Sequence, residues 1–230
     1  MNIHDQLINS PWVLIGHLIF WPFFLYACWS AYLRYFGNNS GQEAQINHIW
    51  PVLCAFFLLL WQLKASLSIG VSIHLLGATL LTILFGWQLA VIGLTAVLLG
   101  TTLIMNFNQV ESWQALGLNG IILILIPVFV SYHIVRLIFL RLPHNFFIYI
   151  FLSGFANAMV TLGIVGLSST AILLLSPQLD ANTLIHHYLP AYFLIIFPEA
   201  FTTGAILTVF VVYRPKWVLS FDDNLYLRKN

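Results

Sequence analysis

Most of the chemistry open to this chain lies in eight histidines and in one acid, Glu199, set alone in an apolar run. One histidine stands out: His74, in the stretch Ser72-Ile73-His74-Leu75-Leu76-Gly77, which leads on through Ala78 and Thr79 to Leu84-Phe85-Gly86. An imidazole in a segment apolar enough to lie in a bilayer costs free energy unless it finds a partner. The expected partner is the start of the chain, where His4 follows Met1, Asn2 and Ile3, and together the two can hold a transition-metal ion.

The elements that must position these groups follow from composition. Of 230 residues, 60% are hydrophobic and 7% charged, with a mean hydropathy of +0.93. Such a chain cannot cover itself with polar surface, so it is an integral membrane protein in contact with a lipid bilayer. A formal net charge of +1 from scattered basic residues excludes an electrostatic footprint for nucleic acid. Cys28 and Cys54 both sit in apolar runs and read as buried thiols.

The chain divides into seven expected spans. The first runs from Trp12 to Phe36 and lacks the basic leader and cleavage site of a secretory signal, so it should stay attached. A polar loop, Gly37 to Asn47, separates it from a second span, Trp50 to Leu67. Ile69 to Gly86 reads as a short third span and Trp87 to Met105 as a fourth. Leu118 to Leu140 is the fifth, with Pro127 inside it. Phe146 to Leu175 is a sixth run, long enough to tilt or to break near Gly163 and Gly166. The polar loop Ser176 to His187 leads to the seventh, Tyr188 to Tyr213. The expected fold is an all-α bundle. Residues 1–11 form an extracytoplasmic amino-terminal segment, 12–214 the membrane domain and 215–230 a cytoplasmic tail.

Seven spans let the basic residues set the orientation. With Met1 outside, Arg34, Arg136, Arg141, Arg214, Lys216, Arg228 and Lys229 all fall on the cytoplasmic side, and Lys64 is the exception. The amino terminus is therefore expected outside and the carboxyl terminus inside. In a helical third span His74 would lie about 8 Å from its outer end, near the level of His17 and Asn119, and Glu199 would lie about 16 Å into the seventh. His17, Asn119 and Glu199 are the supporting polar groups of the membrane interior. The pair Ala27 and Ala31 offers a small-residue face on which a partner helix can dock.

These residues resemble a family. Ser72-Ile73-His74, with Gly77 and Leu84-Phe85-Gly86, is similar to the histidine-glycine segment of the CbiM/NikM proteins, the substrate-capturing permease subunits of cobalt and nickel energy-coupling-factor transporters. So are Leu116-Gly117-Leu118-Asn119 with Pro127, Tyr132 and Arg136; Phe151-Leu152-Ser153-Gly154-Phe155; and Pro198-Glu199-Ala200 with Thr208, Val209 and Tyr213-Arg214. The resemblance implies that the amino terminus folds back into the bundle and binds Ni²⁺ or Co²⁺ in a plane of nitrogens. Carried onto this sequence, the ligands are the Met1 amine, Asn2 and His4 at the terminus, and His74. Asn2 stands where the family has a histidine, and Leu75-Leu76 where it has Pro-Thr. The resemblance also implies residence in a bacterial inner membrane beside a coupling transmembrane subunit and ATPase subunits.

Absences point the same way. No Gly-rich loop ends in Gly-Lys-Ser/Thr, so the chain has no nucleotide cradle of its own. It is expected to be a transporter subunit and not an enzyme, drawing its energy from other polypeptides. Two alternatives remain: a b-type haem protein that pairs His17 with His74, and a scaffold relative that binds no metal.

Overall fold

The computed structural model describes residues 2–3, 10–35, 43–66, 71–107, 113–174, 182 and 184–226. Helices dominate, as they must where no water is present to satisfy backbone amides and carbonyls. In order they are α1 (Ser10–Tyr35), α2 (Glu43–Leu60), α3 (Ala78–Phe107), α4 (Leu116–Arg141), α5 (Phe146–Leu174), α6 (Leu184–Tyr213) and the short α7 (Asp223–Tyr226). Five of them, α1, α3, α4, α5 and α6, are long and apolar enough to cross a membrane, and α2 contributes a shorter apolar stretch, His48–Leu60. α3 is the most enclosed of the five and α1 the least.

The exception to helix is a small antiparallel sheet in the order β1-β3-β2, formed by β1 (Asn2–Ile3), β2 (Ala65–Ser66) and β3 (Val71–Ile73). β3 is its central strand. Asn2 lies opposite Ser72 and Ile3 opposite Val71 on one side, with Ala65 opposite Ile73 and Ser66 opposite Ser72 on the other. The second and third expected spans are corrected here. α2 ends at Leu60, short of Leu67, and the helical third span expected from Ile69 is extended at Val71–Ile73 and helical only from Ala78. Extended backbone advances about 3.3 Å per residue against 1.5 Å in a helix. His74 is thereby carried further along its segment than a helix would carry it.

α3 does not run straight. Gly86 leaves the helical region (φ 81°, ψ 169°), a conformation that favours glycine. Gly77 and Gly100 are 23 residues apart in sequence, about 35 Å along a straight helix. Both nevertheless pack on neighbouring residues of α2, Gly77 against the ring of Phe57 and Gly100 against Leu58. The Trp61 indole donates to the Leu76 carbonyl (3.2 Å), and the Trp50 indole to the Leu89 carbonyl (3.0 Å). Residues 76 to 89 thus run against the direction of α2, and residues 89 to 100 run with it. The chain reverses at Gly86, the boundary expected between the third and fourth spans.

Other irregularities have local causes. Pro127 carries no N–H, and the π-helical turn Ile121–Leu125 lies just ahead of it, where a shifted ladder accommodates the missing donor. α5 stays helical through Gly163 and Gly166 to Leu174, and its irregular part is the π stretch Tyr149–Ala156. Gly166 instead makes room for the Tyr192 ring, which would lie 2.4 Å from an added Cβ. Of the expected loops, Gly37 to Asn47 is cut short because α2 already begins at Glu43. Ala27 and Ala31 are buried inside the chain, so the small-residue face of α1 is already covered and is not open to a partner.

α1 and α4 cross backbone to backbone. A Cβ on Gly117 would lie 2.5 Å from the His17 nitrogen, and one on Gly16 2.7 Å from the Leu118 nitrogen. Backbone cannot swing aside as a side chain can. Gly117→Val is expected to destabilise the fold by about 3 kcal/mol or more, the upper range for overpacking. Thermal melting in detergent checks this, and an unchanged melting temperature would refute the close crossing.

Candidate metal-capture site

The site is built on the turn from His74 to Gly77. His74 is buried (4% exposed), and its ring lies 4.5 Å from that of Trp61, tilted by 43°. Nδ1 is 3.0 Å from the carbonyl oxygen of Leu75. A carbonyl only accepts, so Nδ1 carries the proton and the lone pair of the neutral ring lies on Nε2. A backbone carbonyl on one ring nitrogen is how proteins commonly orient the other for a metal.

Two residues further on, the turn is held by an acid from a distant part of the chain. Glu199, in α6 and 3% exposed, accepts from the backbone amides of Leu76 at Oε2 and Gly77 at Oε1, both at 2.7 Å. Gly77 adopts φ 71°, and the Phe57 ring occupies the space a Cβ would need. The turn also feeds the amino end of the helical stretch 78–85, where a carboxylate is favoured by the exposed amides and the helix dipole. The far end of this stretch is held as well. The carbonyls of Ile83, Leu84 and Phe85 accept from the Ser220 hydroxyl (2.9 Å), the Leu219 amide (2.9 Å) and the Tyr35 hydroxyl (3.0 Å). This short rod is therefore fixed at both termini, which sets the position of His74.

The other expected residues fall as follows. β1 lies against β3, so Asn2 is brought beside the segment that carries His74. Met1 and His4 lie outside the described residues. Glu199 does not sit apart at a greater depth; it meets the His74 turn directly, because extended backbone brings that turn further along than a helix would. His17 receives a hydrogen bond from the Trp21 indole at Nδ1 (3.0 Å) and donates from Nε2 to the Gln114 carbonyl (3.0 Å). With both ring nitrogens engaged it joins α1 to the start of α4, and it has no nitrogen to spare for the haem pairing with His74. Asn119 is buried in α4 beside Gly120, which packs on the Phe20 ring.

Among the described residues no three His, Cys, Asp or Glu side chains gather into a metal cluster. Sequence reasoning missed Trp61, which both packs on His74 and bonds the Leu76 carbonyl. It also missed that Glu199 serves the backbone of residues 76 and 77. A usable signal was present: a non-helical apolar stretch must find acceptors for its amides, and Glu199 was an unassigned acid in the membrane.

The comparisons with known proteins bear directly on this geometry. The CbiM family model, described as the cobalt uptake substrate-specific transmembrane region, matches residues 2–217. The chain belongs to the CbiM family. The match covers all but one of the sequence segments that position His74, from β1 through α6, and leaves Met1 outside it. The fold is similar to two solved structures. One is titled the crystal structure of a truncated transition metal transporter (TM-score 0.76, 20% identity, 93% of this chain and 99% of that one). The other is titled the crystal structure of a transition metal transporter (TM-score 0.73, 20% identity, 91% of this chain and 92% of that one). At such identity the likeness concerns the fold. No curated protein matches the chain. As a CbiM protein the chain is a multi-pass membrane component of transition-metal transport.

Proposed function

We propose that this CbiM protein is the substrate-capturing permease subunit of an energy-coupling-factor transporter, taking Co²⁺ or Ni²⁺ from outside with nitrogen ligands. The observation that carries this reading is the pairing of Asn2–Ile3 with Val71–Ser72. That pairing lays the start of the chain against the segment that leads into His74. The ion is then held by the Met1 amine, the Asn2 amide nitrogen, the His4 imidazole and Nε2 of His74. Nitrogen donors in a plane suit Ni²⁺ and serve Co²⁺ as well.

In this reading the reversal at Gly86 gives seven crossings, since 71–85 and 87–107 traverse the bundle in opposite directions. Met1 then lies outside and the tail inside a bacterial inner membrane, with every Lys and Arg but Lys64 on the cytoplasmic side. Transport needs partners, a coupling membrane subunit and ATPases, because the sequence holds no phosphate-binding loop.

The direct test compares the detergent-purified protein, its native terminus verified by intact mass, with a variant carrying Gly-Ser ahead of Met1. The native form is expected to bind one Ni²⁺ or Co²⁺ by calorimetric titration. Extension removes the primary amine and is expected to weaken binding at least about 100-fold, as loss of a ligand should exceed the loss of an outer partner. Equal binding by the extended form would overturn the proposed ligand set.

A further inference from the structure

The strand that leads into the His74 turn carries a hydroxyl that no described residue bonds. Ser72 is 1% exposed, and its Oγ has no hydrogen-bond partner among the described residues. A buried polar group in that condition is uncommon and calls for an occupant. Two other buried hydroxyls share it, those of Ser153 and Tyr192, but they lie on α5 and α6. Ser72 differs in its position: it is the middle residue of β3 and stands two residues before His74, which directly follows that strand. It is also the β3 residue opposite Asn2, whose strand supplies one proposed nitrogen, as His74 supplies another.

Resting on the proposed capture of a metal by His74 and the terminus, we infer that Ser72 is a specificity-determining residue, its hydroxyl fixing a water in the axial position of the captured ion. The chemistry discriminates between the two candidate ions. Ni²⁺ in a strong planar field of four nitrogens pairs its electrons and gains little from an axial oxygen. Co²⁺, with one electron fewer and a preference for more than four donors in such surroundings, is stabilised by one. A polar group above the nitrogen plane therefore tilts the site toward Co²⁺. An all-apolar surround would tilt it toward Ni²⁺. The preference requires no extra charge, since the hydroxyl is neutral and already buried two residues before His74.

The test titrates the full chain, native terminus intact, with Co²⁺ and with Ni²⁺ under anaerobic conditions, and records the visible absorption of the Co²⁺ form. Ser72→Ala is expected to lower Co²⁺ affinity about tenfold and Ni²⁺ affinity less than about threefold, the size of effect typical of outer partners. Its Co²⁺ bands should shift and strengthen as the coordination number falls. Ser72→Thr, which keeps the hydroxyl on a strand-favouring residue, is expected to restore both the ratio and the spectrum. A Co²⁺ to Ni²⁺ ratio unchanged by Ser72→Ala would overturn the inference, whether the two affinities hold or fall together. His74→Ala separates this failure from that of the parent reading. If that variant binds both ions like the wild type, the capture site itself is elsewhere.

Discussion

Replacing His74 with alanine is expected to abolish metal binding while leaving the fold in place. The imidazole is held in one orientation by the Leu75 carbonyl and the Trp61 ring, so its Nε2 is pre-organised and little ordering remains to be done when an ion arrives. Losing such a ligand should weaken Co²⁺ or Ni²⁺ binding at least about 100-fold, beyond the range seen for outer partners. Calorimetric titration of the purified variant measures the affinity. Circular dichroism and a melting curve establish that the bundle persists. His74→Ala binding with unchanged affinity would remove His74 from the site. The ligand set proposed above fixes the direction of a pH effect. Amine, amide and imidazole nitrogens must shed protons to bind a metal, so affinity should fall steadily as the pH is lowered from 8 to 5.

The second large effect belongs to Glu199. Its carboxylate satisfies two buried backbone amides at 2.7 Å, on a turn that has no helix or sheet ladder to satisfy them otherwise. Hydrogen bonds to a charged acceptor contribute about 1.5–3 kcal/mol each, and orphaning the donors adds a desolvation cost. Glu199→Ala is therefore expected to destabilise the protein by roughly 3–5 kcal/mol and to release the His74 turn, lowering metal affinity as well as melting temperature. Glu199→Gln sharpens the test. The amide side chain keeps one acceptor oxygen but turns an NH₂ toward the second backbone N–H, so it should retain part of the stability and lose most of the affinity. Melting and titration of both variants check the clamp. If Glu199→Ala melts and binds like the wild type, something else holds residues 76 and 77.

How much of this was legible in the sequence varies element by element. α4, α5 and α6 declare themselves because each is an apolar run bounded by polar residues, and in lipid such a run has to close its own hydrogen bonds. The reversal at Gly86 was legible too, as a glycine ending one apolar stretch where Trp87 begins the next. The segment before Ala78 was not. Its residues are as apolar as those of a helix, and periodicity does not separate a short buried strand from a buried helix. What made residues 71–73 a strand is what they lie between, Asn2–Ile3 on one side and Ala65–Ser66 on the other.

The amino-acid sequence by itself determined that this chain lives in a membrane and which residues carry nitrogen and oxygen donors. Local composition and family motifs suffice for that, because transfer from water to lipid is decided residue by residue. The tertiary structure decided the role of each group. Glu199, 122 residues from Gly77, became the anchor of the histidine turn, and His17 became a tie between helices. Ala27 and Ala31 turned inward. Such assignments depend on which buried donor meets which acceptor, and in a medium without water that pairing is settled only when the segments have packed.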